Sequence, residues 1–266
     1  MPVDDLRDAR DVLAAAVREA GALALSTFRG SLRQWLKGAS SPVSEADIAV
    51  DSFLRRRLTD AFPTYGWLSE ETEDDPRRLE TKEVWIVDPI DGTRSYLDGR
   101  DDWVVSVALA VAGRPRLAAL FAPVTDEFFL AVEGQGATRN GVAITVNPGT
   151  GFEGAKLLGP KRFLGRLNDL HPAAVPLPRL GSLALRLARI AHGGADIALV
   201  GGRSHDWDLA AADLLVHEAG GVLTDIDGER LTYNRPAPVH GLLVAASRLR
   251  HGMALALVQE RRAQFV

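Results

Sequence analysis

The chain has 266 residues, 46% apolar and 25% charged, a balance typical of globular proteins that excludes disorder as its main theme. Net charge is −4 and cysteine is absent, which excludes disulfides, thiolate catalysis, iron–sulfur clusters and Cys-ligated zinc, and argues against a nucleic-acid polymer as partner. Residues 1–100 hold 19 Asp/Glu against 14 Lys/Arg, whereas the remainder is nearly balanced, so a function that needs clustered carboxylates is expected early in the chain.

From Asp4 to Phe28, small and apolar residues (Leu6, Ala9, Leu13, Ala16, Val17, Ala20, Leu23) recur at three- and four-residue steps, the period of one buried helical face. A second helix opens at Ser44, where Ser44 and Asp47 have capping-box spacing; Ile48, Phe53, Leu54 and Leu58 follow on one side and Pro63 ends it. Strands are predicted over 66–69, 84–88, 103–111, 116–122 and 127–132, a mainly antiparallel run, and Asn140-Gly141 supplies a tight hairpin before 143–146. Beyond Pro148 short strands alternate with helices: 155–158, 183–192, 195–200, 208–219, 221–225, 241–246 and a closing helix from Leu249. Gly220-Gly221 reads as a helix C-cap. A boundary near 147–154, rich in glycine, divides an α+β half (1–148) from an α/β half (149–266). No apolar run approaches the ~18 residues of a membrane span and no basic-then-apolar leader opens the chain, so a cytoplasmic enzyme with no membrane partner is the expectation.

The chemistry concentrates in Val84-Trp85-Ile86-Val87-Asp88-Pro89-Ile90-Asp91-Gly92-Thr93. A buried strand delivers Asp88, Pro89 is expected to stop the ladder, and a turn returns Asp91, so that two carboxylates face one pocket. Gly92 permits close approach, leaving the N–H groups of Gly92 and Thr93 available to a phosphate oxygen. Taken alone, Asp91-Gly92 is also an ordinary turn, Asp47 an ordinary cap, Glu70-Glu71 the head of a solvated acidic loop, and Asp206 or Asp208 an N-cap.

Together and in this order, Ser41-Pro42-Val43-Ser44-Glu45-Ala46-Asp47, Trp67-Leu68-Ser69-Glu70-Glu71, Asp88-Pro89-Ile90-Asp91-Gly92-Thr93 and Trp207-Asp208 with Glu218-Ala219-Gly220-Gly221 resemble the inositol monophosphatase family of lithium-sensitive, magnesium-dependent phosphatases. The resemblance implies an α/β fold, α+β followed by α/β, layered as an αβαβα sandwich of the inositol monophosphatase and fructose-1,6-bisphosphatase type, and a homodimer. It implies that Glu70, Asp88, Asp91, Asp208 and the Ile90 carbonyl hold two or three Mg2+ ions, a donor set of oxygens suited to a hard cation. It further implies hydrolysis of a small-molecule phosphomonoester by in-line attack of water, without a covalent phosphoenzyme. Asp47 and Thr93 would orient the water, Glu70 would serve its activation, and Gly92 and Thr93 would bind phosphate oxygens.

Substrate choice rests on loops. The acidic residue that inositol monophosphatases carry seven positions before the last metal aspartate is Gly201 here, and Leu68-Ser69-Glu70-Glu71 with Leu231-Thr232-Tyr233-Asn234 is more similar to the bacterial 3'(2'),5'-bisphosphate nucleotidases. On that reading Arg203, with Lys161 and Arg162, would neutralise a second phosphate, and His205 or Tyr233 would stack on adenine. Those nucleotidases tend to have Gly-Ser-Ser-Leu-Lys where this chain has Gly181-Ser182-Leu183-Ala184-Leu185, the basic residue moving to Arg186. Adenosine 3',5'-bisphosphate is therefore the first expectation, and inositol 1-phosphate or another sugar phosphate the alternative. Fructose 1,6-bisphosphate and a catalytically silent binding protein on the same fold stand further off.

Overall fold

The computed structural model describes residues 3–30, 33–37 and 41–265. The long α1 (Val3–Thr27) is followed by a hairpin, β1 (Gln34–Lys37) and β2 (Ser41–Ser44), and by α2 (Glu45–Ala61). A seven-stranded sheet follows, built from β3 (Gly66–Ser69), β4 (Glu83–Asp91), β5 (Val104–Val111), β6 (Arg114–Ala122), β7 (Glu127–Val132), β8 (Gly136–Arg139) and β9 (Val142–Ile144) in simple order, with the short α3 (Thr93–Leu97) between β4 and β5. Only its β3–β4 pair is parallel; the other neighbours run antiparallel.

The remainder comprises β10 (Lys156–Leu158), α4 (Lys161–Leu170), β11 (Val175–Pro176), α5 (Leu183–Ala191), β12 (Ile197–Val200), β13 (Ser204–His205), α6 (Asp206–Glu218), β14 (Gly221–Asp225), β15 (Val239–His240), β16 (Leu243–Ser247), α7 (Arg248–Glu260) and a last turn, α8 (Arg262–Phe265). A five-stranded sheet has the order β11-β10-β12-β16-β14, and β13 pairs with β15 in a small ribbon. Among the described residues no helix is long and apolar enough to cross a membrane.

The layers follow from strand parity, since successive side chains point to opposite faces. Trp85, Val87, Val105, Val107 and Leu109 pack with Leu13, Val17, Leu54 and Leu58 of α1 and α2. Their neighbours Val84, Ile86, Val104, Ala108 and Ala110 pack with α5 and α6, whose other side meets Ala198, Val200, Leu243 and Ala245 of the second sheet. The opposite parity there, Ile197, Leu199, Val244 and Ala246, meets Phe163, Leu167, Ala254 and Val258 of α4 and α7. Five layers result: helices, sheet, helices, sheet, helices. Every residue of β5 is buried because both faces of its sheet are covered, which explains why it is apolar throughout except at Ser106. The α5–α6 layer lies in one continuous core with both sheets, across the glycine-rich link at 147–154.

Several sequence expectations need correction. Pro89 does not end β4: Asp88 pairs with Ser106 and Asp91 with Val104, so one extra residue is accommodated as a bulge, the position in a sheet where a missing N–H does no harm. Ile48 is 39% exposed, because the buried face of α2 runs through Asp47, Val50, Asp51, Leu54 and Leu58. The hairpin β1–β2 and α3 are too short for periodicity to announce them, with four residues in each strand and five in α3, whereas α4 does carry a helical pattern, burying Phe163, Leu164 and Leu167, that the sequence expectations omit.

Candidate active site

The capping box at α2 forms as expected. Ser44 N–H and Oγ–H both donate to Asp47 Oδ2, at 2.8 and 2.6 Å, while Ser44 Oγ accepts from the Ala46 N–H at 3.2 Å. That leaves Asp47 Oδ1 to accept from Thr93 Oγ1 at 3.0 Å, and Thr93 Oγ1 also lies 3.1 Å from the Ile90 carbonyl. A hydroxyl has one proton for these two acceptors, so its lone pairs stay available. Burial raises the pKa of Asp47, and its bonds from Ser44 and Thr93 oppose the shift.

The bulge in β4 brings its two aspartates together. Asp88, Asp91 and Asp208 each offer an oxygen, and these oxygens lie within 4.8 Å of one another. Asp88 is 1% exposed, and burial with the negative charges of Glu70, Asp91 and Asp208 raises its pKa well above the carboxylate range. Asp91 has a different environment: Ser182 Oγ–H donates to Oδ2 at 2.6 Å, the Leu183 N–H to Oδ1 at 3.2 Å and the Ala184 N–H to Oδ2, so the start of α5 grips this carboxylate. Burial raises its pKa nonetheless.

α6 begins at Asp206, two residues before the expected start, which places Asp208 in its first turn with the His205 N–H donating to Oδ2 at 2.6 Å. Burial and Asp91 push Asp208 up to about 7. Glu70 follows β3, its N–H donating to the Val87 carbonyl at 3.2 Å; burial, then Asp208, Glu71, Asp91 and Asp47, push it up to about 8. Three aspartates within coordinating reach of one another, with Glu70 and Ile90 lining the same cavity and no sulfur or imidazole in the set, fit a hard divalent cation. Gly92 has φ +99°, and a Cβ there would lie 3.0 Å from the Asp102 carbonyl, so both backbone and space require glycine at the N-cap of α3.

These groups open on a cavity of about 190 Å³ lined by Glu70, Asp88, Asp91, Gly92, Thr93 and Asp208, with Pro42, Arg94 and Arg179 at its edge. Arg203 is exposed and is not among the lining residues; its N–H donates to the His240 carbonyl at 2.8 Å. Lys161 and Arg162 are exposed at the start of α4. Tyr233 is 1% exposed, its hydroxyl donating to Asp213 Oδ2 at 2.9 Å, so it packs in the core and presents no face to a base. His205 stacks flat on Trp207, ring centroids 4.6 Å apart.

Sequence reasoning missed the cations Arg94 and Arg179 and the hydroxyl of Ser182. The signal for Ser182 was present: a serine opening an apolar helical run is a capping residue, and it does accept from the Leu185 N–H at 2.9 Å. Nothing local connects it to Asp91, 91 positions earlier.

The inositol monophosphatase family profile matches residues 5–263. An inositol-1-monophosphatase of Rhizobium meliloti is 35% identical over 82% of this chain and 85% of its own length. A Nus factor SuhB of Pasteurella multocida is 31% identical over 80% and 83% respectively. The crystal structure of a SuhB protein from Bartonella henselae superposes with a TM-score of 0.83 at 27% identity, covering 94% of this chain and 98% of that one. An IMPase from Thermotoga maritima gives 0.84 at 26% identity, over 96% and 98%.

Proposed function

Because the chain belongs to the inositol monophosphatase family, and so is a metal-dependent phosphomonoesterase, we propose that it hydrolyses the monophosphate of a small polyhydroxylated alcohol, of the inositol phosphate class, with magnesium as its metal. The observation that carries this reading is the cavity, whose acids converge from β3, β4 and α6 beside the glycine-capped start of α3 in a space suited to a phosphate and a compact alcohol. The name of the Rhizobium relative points the same way.

Glu70, Asp88, Asp91, Asp208 and the Ile90 carbonyl are assigned to hold the ions. Bound magnesium supplies charge neutralisation at the phosphate and lowers the pKa of water. Asp47 accepts from Thr93 and so directs the Thr93 oxygen, which then accepts a hydrogen bond from the attacking water. Glu70, which lines the same cavity, would serve the activation of that water through the ion it helps to hold. The N–H groups of Gly92 and Thr93, unused within α3, bind non-bridging oxygens and need no reorganisation as charge develops. Ser182, Leu183 and Ala184 hold Asp91 still, so that its oxygens keep their direction through the reaction.

A nucleoside 3',5'-bisphosphate is the second reading, favoured by Arg94 and Arg179 at the cavity edge, two cations that a second phosphate could engage. Phosphate release from inositol 1-phosphate and from adenosine 3',5'-bisphosphate, each with and without magnesium, separates the readings. Higher kcat/KM on inositol 1-phosphate is expected. Higher kcat/KM on the bisphosphate transfers the assignment, and turnover in chelated buffer refutes the metal-dependent route.

A further inference from the structure

α2 carries two buried carboxylates one turn apart on the same face, Asp47 and Asp51. Asp47 bonds Thr93. Asp51, 6% exposed, bonds the segment that follows β3: Ser69 Oγ–H donates to Oδ1, and Thr72 Oγ1–H donates to Oδ2 at 2.6 Å. The same segment is tied further, by the Glu71 N–H to Ser69 Oγ at 3.3 Å and by Trp67 Nε1–H to Thr72 Oγ1 at 3.2 Å. Both of Asp51's oxygens are therefore engaged, one on each side of Glu70.

This bracket opposes a definite force. Glu70 lines one cavity with Asp88, Asp91 and Asp208, and like charges gathered in that space favour carrying its side chain outward unless the loop is held. Packing of α2 on β4 of the sheet needs only shape, and an apolar side chain would supply it. A buried carboxylate with two hydroxyl donors flanking Glu70 adds direction. The two acids of α2 are separated by about 6 Å along the helix axis, a distance the helix holds rigid.

We propose that Asp51 is a positioning residue for Glu70, and that the turn of α2 between Asp47 and Asp51 sets the placement of Glu70 relative to Thr93. The inference rests on the assignment of Glu70 to the metal. Its test uses the full chain and magnesium titration by calorimetry without substrate, alongside kcat and KM at saturating magnesium. Asp51→Asn weakens magnesium binding about tenfold or more, the scale of an outer-shell loss, and lowers kcat with KM little changed. Thr72→Val acts in the same direction and less. In the Glu70→Gln background, Asp51→Asn causes no additional loss of affinity, because the group it positions is already gone.

Unchanged magnesium affinity in folded Asp51→Asn, beside weakened affinity in Glu70→Gln, overturns the inference alone. The same losses with and without Glu70 also overturn it, since they mark a general loss of structure. Unchanged affinity in Glu70→Gln refutes the assignment of Glu70 and the inference with it. If Asp51→Asn does not fold, Thr72→Val decides, and unaltered affinity there overturns the proposal.

Discussion

Asp196 and Asp88 are both nearly inaccessible, 5% and 1% exposed, and their surroundings are opposite in character. Asp196 lies before β12, where Arg250 Nη1 donates to it at 2.6 Å, Asn147 Nδ2 at 2.7 Å and the Lys156 N–H at 2.7 Å. Its charge is compensated by the chain itself, and the result ties the 147–156 link to α7. Asp88, at the bulge of β4, faces Asp91, Asp208 and Glu70, and each raises the cost of its charge. A buried acid whose partners are donors is part of the scaffold; a buried acid whose neighbours are other acids is a place for a cation.

The largest test of this contrast exchanges one carboxylate in each region. Asp88→Asn is expected to lower kcat by about three orders of magnitude or more, through loss of an anchor for the ions, while raising the melting temperature of metal-free protein at pH ~8.5, where it relieves repulsion. Asp196→Asn should do the reverse: leaving Arg250 half-paired costs about 3–5 kcal/mol and a drop in Tm near 10 °C, with kcat per folded molecule unchanged. A fall in metal-free Tm for Asp88→Asn would mean that its charge is compensated too.

Between these comes pH. Glu70, pushed up to about 8, and Asp208, up to about 7, start from 4.5 and 3.8 in the absence of the fold. Across that interval the folded chain holds more protons than the unfolded one, so stability is greatest at the acidic end and falls as pH rises through 7 and 8. Thermal unfolding of metal-free protein from pH ~5.5 to ~8.5 should show a declining Tm, and saturating magnesium should abolish the decline by stabilising the ionised forms. A flat metal-free profile contradicts the mutual repulsion.

The smallest effect sharpens the cavity's edge. Arg179→Ala is expected to raise KM by about tenfold, the cost of one charge-assisted contact, and Arg203→Ala by about twofold or less. Larger KM effects at Arg203 would bring its loop into the site.

Much of this was readable from local pattern. The strands at 66–69, 127–132 and 221–225 have the boundaries that their residues predict. The Ser44–Asp47 capping box forms, and Asn140 and Gly141 take the left-handed conformations that their hairpin requires, φ +50° and +79°. Each is settled within a few residues, by hydrogen bonds that the side chains make with their own backbone. Where an expectation failed, a longer-range fact overrode it: Pro89 continues β4 because β5 tolerates a bulge beside it, and Tyr233, placed by its sequence among residues near a ligand, is drawn into the core by Asp213 of α6.

The sequence by itself determined which acids exist, their order and their spacing, and with them the family and the class of chemistry. It determined the type of the longer elements as well, though not of the short hairpin β1–β2 or of α3, since periods of two and of 3.6 residues and the capping residues at their ends are properties of adjacent positions. Only the tertiary structure decided which partner each acid has: Asp91 with the start of α5, Asp51 with the turn that carries Glu70, Asp196 with Arg250, and Asp88 with other carboxylates. Those pairings join residues 18 to 93 positions apart wherever the chain is the partner, and they exist because five layers, stacked by burial of both sheet faces, bring particular helix ends against particular strand ends.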